Sequence, residues 1–257
     1  MRKNSGLFRA FEQQKAYTVG MKNNMNNILI TGASRGIGQA LALALAGPNT
    51  QLILHAKSLA SLEKVTKLCE ERGAKVRPFP LDLTQPETIQ EAVKDLITDT
   101  GPIDTLINNA GLWIEEPFMQ GNMDVWDQAL DVNLKSVIHM CRFVLESMPD
   151  EGRIVFIAST ASKRSYAGGT NYCAAKFGLM GFAGALFEDV RERGIKVCSI
   201  FPGVVNTDMH AGDGRLDPEK MIQADDVAQA VVYALHTPKN VCPTEIVLQP
   251  QKNPKTM

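Results

Sequence analysis

The chain has 257 residues, 44% of them hydrophobic, which is enough to bury the core of one large domain. Its formal net charge is -1 and it holds no long basic block, so neither nucleic acid nor an anionic membrane surface is called for as a partner. Five cysteines (69, 141, 173, 198, 242) without a Cys-x-x-Cys spacing and four scattered histidines (55, 139, 210, 236) read as reduced thiols in a cytoplasmic setting, with no metal site.

No apolar run approaches the ~18 residues that cross a bilayer, so no membrane partner is expected. The first 26 residues carry Arg2, Lys3, Arg9, Lys15 and Lys22 against the single acid Glu12. They lack the apolar core of a secretory signal. The basic balance also suits an organelle transit peptide, but the simpler reading is a mobile or partly helical tail, with Met21 or Met25 as an alternative start, ahead of a single domain over 27–257.

From Asn27 onward short apolar runs alternate with longer amphipathic ones, the pattern of repeated β-α units around a parallel sheet. The predicted strands are 27–31, 51–56, 75–80, 103–108, 153–158, 196–201 and 245–248. The predicted helices lie near 37–46, 59–72, 85–99, 123–148, 171–193 and 224–235. Ser58 is placed to cap the second helix, Gly73 to end it, and Thr84 with Glu87 to form a capping box before the third. Seven strands with intervening helices predict an α/β fold with a doubly wound parallel sheet.

The first unit runs Thr31, Gly32, Ala33, Ser34, Arg35, Gly36, Ile37, Gly38, directly after a strand and opening a helix. Glycines there permit a tight turn and close approach of the backbone to a pyrophosphate, whose charge meets the N–H groups of the helix start. The end of the second strand bears on the choice of dinucleotide. An acid there would accept bonds from a ribose 2′-OH, whereas this chain has Lys57 and Ser58, which with Arg35 suit the 2′-phosphate of NADP. Asp82, after the third strand, is placed either to bond the adenine amine or to stabilise the next helix through its dipole. Asn108, Asn109, Ala110 and Gly111 end the fourth strand with small residues that leave room for a ribose and amides that can tie strand ends together.

Tyr172 and Lys176 are four apart in a helical run and leave one helix face a turn apart. An ammonium near a phenol favours the phenolate and lowers its pKa from about 10, which makes Tyr172 a candidate acid/base. Ser159 closes the fifth strand, where a hydroxyl can hold a substrate oxygen above the sheet. Tyr166 has Thr170 four residues later in place of a lysine, and reads as a pocket wall.

Taken together, TGASRGIG (31–38), Asp82, NNAG (108–111), Asn133 in VNL, Ser159, YCAAK (172–176) and PGVVNTDM (202–209) resemble the short-chain dehydrogenase/reductase family in order and spacing. The resemblance covers nearly all of 27–210 and implies a Rossmann-like fold. It implies that Ser159 orients the substrate oxygen, that Tyr172 is the acid/base, and that Lys176 holds the nicotinamide ribose and lowers the Tyr172 pKa. Asn133 would support a water that relays protons to Lys176, although inside a helix an Asn can also simply bond a kinked backbone. Cofactor contacts are implied for Gly32, Ser34, Arg35, Gly36, Ile37, Gly38, Lys57, Asp82, Leu83, Asn109, Tyr172, Lys176, Val205 and Thr207, with NADP(H) preferred over NAD(H).

The segment 206–222, where such enzymes fold a lid, is short and polar and suggests a modest substrate. The ending PTEIVLQPQKNP resembles those of broad-range NADP-dependent hydroxy-acid dehydrogenases and carbonyl reductases. Apolar residues lie on more than one face of helices 123–148 (Val137, Met140, Phe143, Val144) and 171–193 (Phe177, Met180, Phe182, Phe187), and the resemblance implies a homodimer or homotetramer. The expected activity is hydride transfer between a nicotinamide and the carbonyl or alcohol carbon of a small ketone, aldehyde or hydroxy compound. The alternatives are a 3-oxoacyl thioester reductase and, in another class, a dinucleotide-binding sensor without turnover.

Overall fold

In the computed structural model, which describes residues 26–255, a seven-stranded parallel sheet has helices on both faces. Its strands are β1 (Asn26–Ile30), β2 (Thr50–Ala56), β3 (Lys75–Pro80), β4 (Thr105–Asn108), β5 (Arg153–Ile157), β6 (Lys196–Pro202) and, after two short strands β7 (Val205–Asn206) and β8 (Ile222–Gln223), β9 (Glu245–Leu248). The helices are α1 (Gly36–Leu45), α2 (Glu63–Glu70), α3 (Ile89–Thr100), α4 (Met123–Leu130), α5 (Ser136–Leu145), α6 (Thr170–Val190) and α7 (Ala224–Leu235). The spatial order is β3-β2-β1-β4-β5-β6-β9. The order in which successive strands are added therefore reverses between β1 and β4, and a crevice opens there at the carboxyl ends of the parallel strands.

Side chains alternate along each strand, so successive residues enter different layers. Ile28, Ile30, Leu52 and Leu54 pack with Leu41 of α1, Val65 of α2 and Val231 of α7. Leu29, Ile53, Leu106 and Phe156 pack on the other face with Val93 of α3, Met140 of α5 and Leu186 of α6. Both faces of the sheet are thus covered, and the central strands read as continuous apolar runs for that reason.

The predicted elements hold to within one or two residues at most ends, with three physical corrections. The run 123–148 is not one helix: a π-helical turn at Asp131–Lys135 separates α4 from α5, and the helix ends at Leu145. The capping box at Thr84 is absent, because Thr84 spends both its N–H (3.0 Å) and its hydroxyl (2.8 Å) on Asp82 Oδ1, and Gln85 opens the next turn. Ser58 does not cap either; a 3-10 turn at Ala60–Leu62 precedes α2, and the Ser58 carbonyl accepts the Ser61 hydroxyl. Gly73 does end α2, in a left-handed conformation at φ 87°. The basic tail before residue 26 lies outside the described residues.

Candidate active site

The glycine turn between β1 and α1 is held by contacts that leave no room for side chains. Gly32 has φ 66°, and a Cβ on Gly38 would stand 2.0 Å from the Gly32 carbonyl oxygen and 2.6 Å from Asn109 Nδ2. Asn109 reaches across the sheet reversal, donating from Nδ2 to the carbonyls of Thr31 (2.9 Å) and Gly32 (3.0 Å). The Thr31 hydroxyl returns the tie by accepting the N–H groups of Asn109 (2.9 Å) and Ala110 (3.0 Å). Turn and strand end are therefore one hydrogen-bonded unit. Helix α1 begins with no side-chain cap on its first N–H groups, so the cradle fits an anionic pyrophosphate.

The rim of the crevice carries paired charge. Lys57 Nζ lies 2.8 Å from Asp82 Oδ2, and this bond together with the Thr84 N–H holds the Asp82 carboxyl down at about 2. Asp82 is thus engaged by Lys57 and Thr84, an arrangement neither sequence alternative contained. Arg35 is 3.7 Å from Asp208, and Gly36 faces Thr207, whose Cγ2 would be 3.2 Å from a Cβ at that glycine. Leu83 and Val205 bury their side chains, while Ile37 packs partly against the core, so a ligand would meet Leu83 and Val205 chiefly through backbone.

On the other side of the reversal, Ser159 follows β5 and starts a 3-10 turn, its hydroxyl accepting the Ala161 N–H at 3.1 Å. Tyr172 lies in the first turn of α6, and Ser159 acts on its phenol to lower the pKa. Lys176, one turn on, is only 4% exposed; its ammonium donates to the Ile157 carbonyl (3.2 Å) and stands 5.6 Å from the centre of the Tyr172 ring. Asn133 sits in the π turn and is 1% exposed. Its amide clasps the Leu112 backbone, Oδ1 accepting from N–H (3.0 Å) and Nδ2 donating to the carbonyl (2.8 Å). A Cβ on Gly111 would lie 2.9 Å from Asn133 Oδ1 and 3.8 Å from Lys176 Nζ, so both groups converge on that glycine.

Electrostatics differ from the expectation that Lys176 lowers Tyr172. Burial pushes the phenol up to about 12, against the opposing Ser159 bond, and burial pulls the Lys176 ammonium down to about 8. At Tyr172 desolvation outweighs the opposing influence of Ser159, and at Lys176 desolvation acts alone.

Some groups at the site carried no clear signal in the sequence. Trp113 donates its indole N–H to the Tyr166 phenol oxygen (2.9 Å) and meets the His210 ring edge-on at 4.9 Å. Arg215 Nη1 is 3.7 Å from Glu115, and its Nη2 is 2.8 Å from Asp213. These contacts join the loops after β4, β5 and β7, which no local periodicity reveals. His55, a polar residue inside the apolar run of β2, was visible as an anomaly in the sequence but had no assigned role.

The description short chain dehydrogenase attaches to a family that matches residues 26–215 of this chain. An uncharacterized oxidoreductase of Staphylococcus saprophyticus is 31% identical over 86% of this chain and 96% of its own length. A 3-oxoacyl-acyl-carrier-protein reductase of Haemophilus influenzae is 33% identical over 80% of this chain and 88% of its own. In structure, the alcohol dehydrogenase of the archaeon Thermococcus sibiricus, complexed with 5-hydroxy-NADP, superposes with a TM-score of 0.81 at 28% identity, covering 91% of this chain and 100% of that one.

Proposed function

Because the chain belongs to the short-chain dehydrogenase/reductase family, NAD(P)-dependent oxidoreductases acting on CH–OH groups, we propose that it reduces a small ketone or aldehyde, or oxidises the matching alcohol, with NADP(H) preferred. The observation that carries this reading is the convergence of Ser159, Tyr172, Lys176 and Asn133 beside the glycine cradle. A bound nicotinamide supplies the hydride, or accepts it in the reverse direction.

The residues do the rest. Ser159 positions the substrate oxygen, and Tyr172, its proton held firmly by burial, donates that proton as the oxygen becomes an alkoxide. A phenol near 12 is protonated at neutral pH and so carries the proton that carbonyl reduction requires. Lys176 binds the nicotinamide ribose and, with an ammonium destabilised to about 8, can return a proton to Tyr172. Asn133 holds the Leu112 backbone in place beside Lys176, and its expected water-relay role remains part of this proposal. Lys57 and Arg35 would exchange their present partners, Asp82 and Asp208, for a 2′-phosphate, while Gly32, Ser34, Gly36, Ile37, Gly38, Leu83, Asn109, Val205 and Thr207 line the rest of the dinucleotide.

Turnover is read from nicotinamide absorbance over a panel of ketones, aldehydes and acyl thioesters. Tyr172→Phe keeps the ring and should lower kcat by about a hundredfold or more; a loss of less than twofold rejects the acid/base role. Lys57→Ala should weaken NADPH about tenfold and NADH hardly at all. An equal effect on both removes the basis for the cofactor preference. A second reading, reduction of 3-oxoacyl thioesters, draws on the likeness to the Haemophilus reductase and predicts that the thioesters lead the panel.

The expected homodimer or homotetramer has one supporting feature: Phe177 on α6 is 40% exposed, and Gly181 and Gly184 on the same helix have nothing within 4 Å of a Cβ position. By contrast Val137, Met140 and Val144 are core residues, which removes them from any interface. Light scattering coupled to size exclusion decides it. Free thiols at all five cysteines suit the cytoplasm, and no helix among the described residues is long and apolar enough to cross a membrane.

A further inference from the structure

A histidine directly after the buried aliphatic run Leu52, Ile53 and Leu54 needs a reason, because a buried imidazole must satisfy two ring nitrogens. His55 lies in β2, is 3% exposed, and has both nitrogens engaged. Nδ1 is 3.1 Å from the Gly32 backbone nitrogen, and Nε2 is 3.0 Å from the Leu81 carbonyl oxygen. A backbone N–H can only donate, so Nδ1 must be the bare acceptor. The ring is then the neutral Nε2–H tautomer, and Nε2 donates to Leu81.

Those two backbone partners belong to different loops. Gly32 is the left-handed glycine that starts the turn after β1, and Leu81 immediately precedes Asp82 in the loop after β3. The backbone repeats the tie, since the Ala33 N–H donates to the His55 carbonyl (2.8 Å) and the Leu81 N–H to the Ala56 carbonyl (3.0 Å). Phe79 of β3 meets the ring edge-on at 6.0 Å. Among the described residues no other side chain hydrogen-bonds both loops.

We propose that His55 is a positioning residue for the dinucleotide: its neutral ring sets the distance between the glycine turn and the Asp82 loop, the two walls between which the adenosine half would lie. The proposal rests on the reading of this crevice as the dinucleotide site. Protonation is incompatible with it, because Nδ1–H would face the Gly32 N–H. The environment enforces neutrality: the β1 side offers only a backbone donor, β3 offers the Phe79 edge, and Asp82, the charged group acting on the ring, is itself bound by Lys57. Burial keeps the imidazole down at about 4, well below its usual value.

The test uses the full chain and NADPH titrated by fluorescence, with steady-state kinetics on the best carbonyl substrate of the panel. His55→Phe keeps a ring against Phe79 and removes both hydrogen bonds; the dissociation constant and the KM for NADPH should rise about tenfold, with kcat at saturating NADPH within about threefold of the parent. His55→Asn restores an acceptor for Gly32 and should recover at least half of that loss on a logarithmic scale. A histidine that merely filled the core would lower the melting temperature without this split between KM and kcat, and that result overturns the proposal. Should His55→Phe fail to fold, nitrogen-15 spectra of the parent decide: the Nε2–H tautomer persisting from pH 8 to 5.5 supports the role, and an Nδ1–H or protonated ring in that range rejects it. A parent that binds neither NADPH nor NADH overturns the dinucleotide reading itself, whereas a parent that binds while His55→Phe binds equally well overturns His55 alone.

Discussion

The glycine turn after β1 and the lid after β6 meet across the same crevice, where Gly36 faces Thr207 and Arg35 faces Asp208, yet they are built by opposite means. The turn is made of backbone. Its shape follows from close approaches that only glycine permits and from buried hydrogen bonds to Thr31, Asn109 and His55. The lid is held by exposed and half-buried side chains: Arg215 between Glu115 and Asp213, Lys220 on Asp217, and the aromatic contact of His210 with Trp113. Buried backbone geometry is enforced by sterics and by the cost of an unpaired polar group, whereas exposed ion pairs are screened and contribute little. The glycine turn is therefore the rigid side of the crevice and the segment after β6 the adjustable one.

The strongest way to break that comparison is at Gly38. With a Cβ 2.0 Å from the Gly32 oxygen, Gly38→Ala forces the turn open, so stability should fall by about 2 kcal/mol or more and NADPH affinity by at least about tenfold. Chemical denaturation and NADPH titration check both, and an unperturbed variant means that the turn is as adaptable as the lid.

Lys176 sharpens the comparison from below, because it is a charge stored in a buried wall. Its folded pKa of about 8 lies beneath the ordinary lysine value of about 10.5, so the unfolded chain binds more protons between those limits and stability rises with pH across that window. Below pH 8 the buried ammonium is a full cost. Lys176→Met should accordingly melt several degrees higher than the parent at pH 7, with the gain shrinking by pH 10, while turnover collapses. Melting curves at the two pH values are decisive, and a variant less stable at pH 7 would show that the bond to Ile157 outweighs desolvation.

The smallest effect is expected in the lid. Arg215→Ala removes two exposed ion pairs and should leave both the melting temperature and NADPH binding where they were, while changing KM for the carbonyl substrate by about two- to fivefold. A large drop in melting temperature would make the lid a structural element after all.

Much of this was legible in the chain because it is local. The β-α alternation, the glycine spacing and the Tyr172 to Lys176 interval each sit within a few turns of backbone, and the strands β3 and β9 fall at their predicted limits. The α4 to α5 break was not legible, because the partner of Asn133 in the π turn is the Leu112 backbone, twenty-one residues away and outside any local pattern. Thr84 was misassigned for a related reason: its hydroxyl had two partners within reach, and the nearer Asp82 took it.

What the sequence by itself determined is the α/β class and the glycine turn, which depend on residue type and short spacing, whereas Ser159, Tyr172, Lys176 and Asn133 came together as a set only through the resemblance to the family's motifs. Tertiary structure alone decided their charge states and their neighbours. The Tyr172 phenol is raised and the Lys176 ammonium lowered by desolvation, which is a property of the assembled layers. The same holds for His55, Lys57 with Asp82, and Trp113 with Tyr166, whose partners lie on loops brought together only when the sheet reverses between β1 and β4.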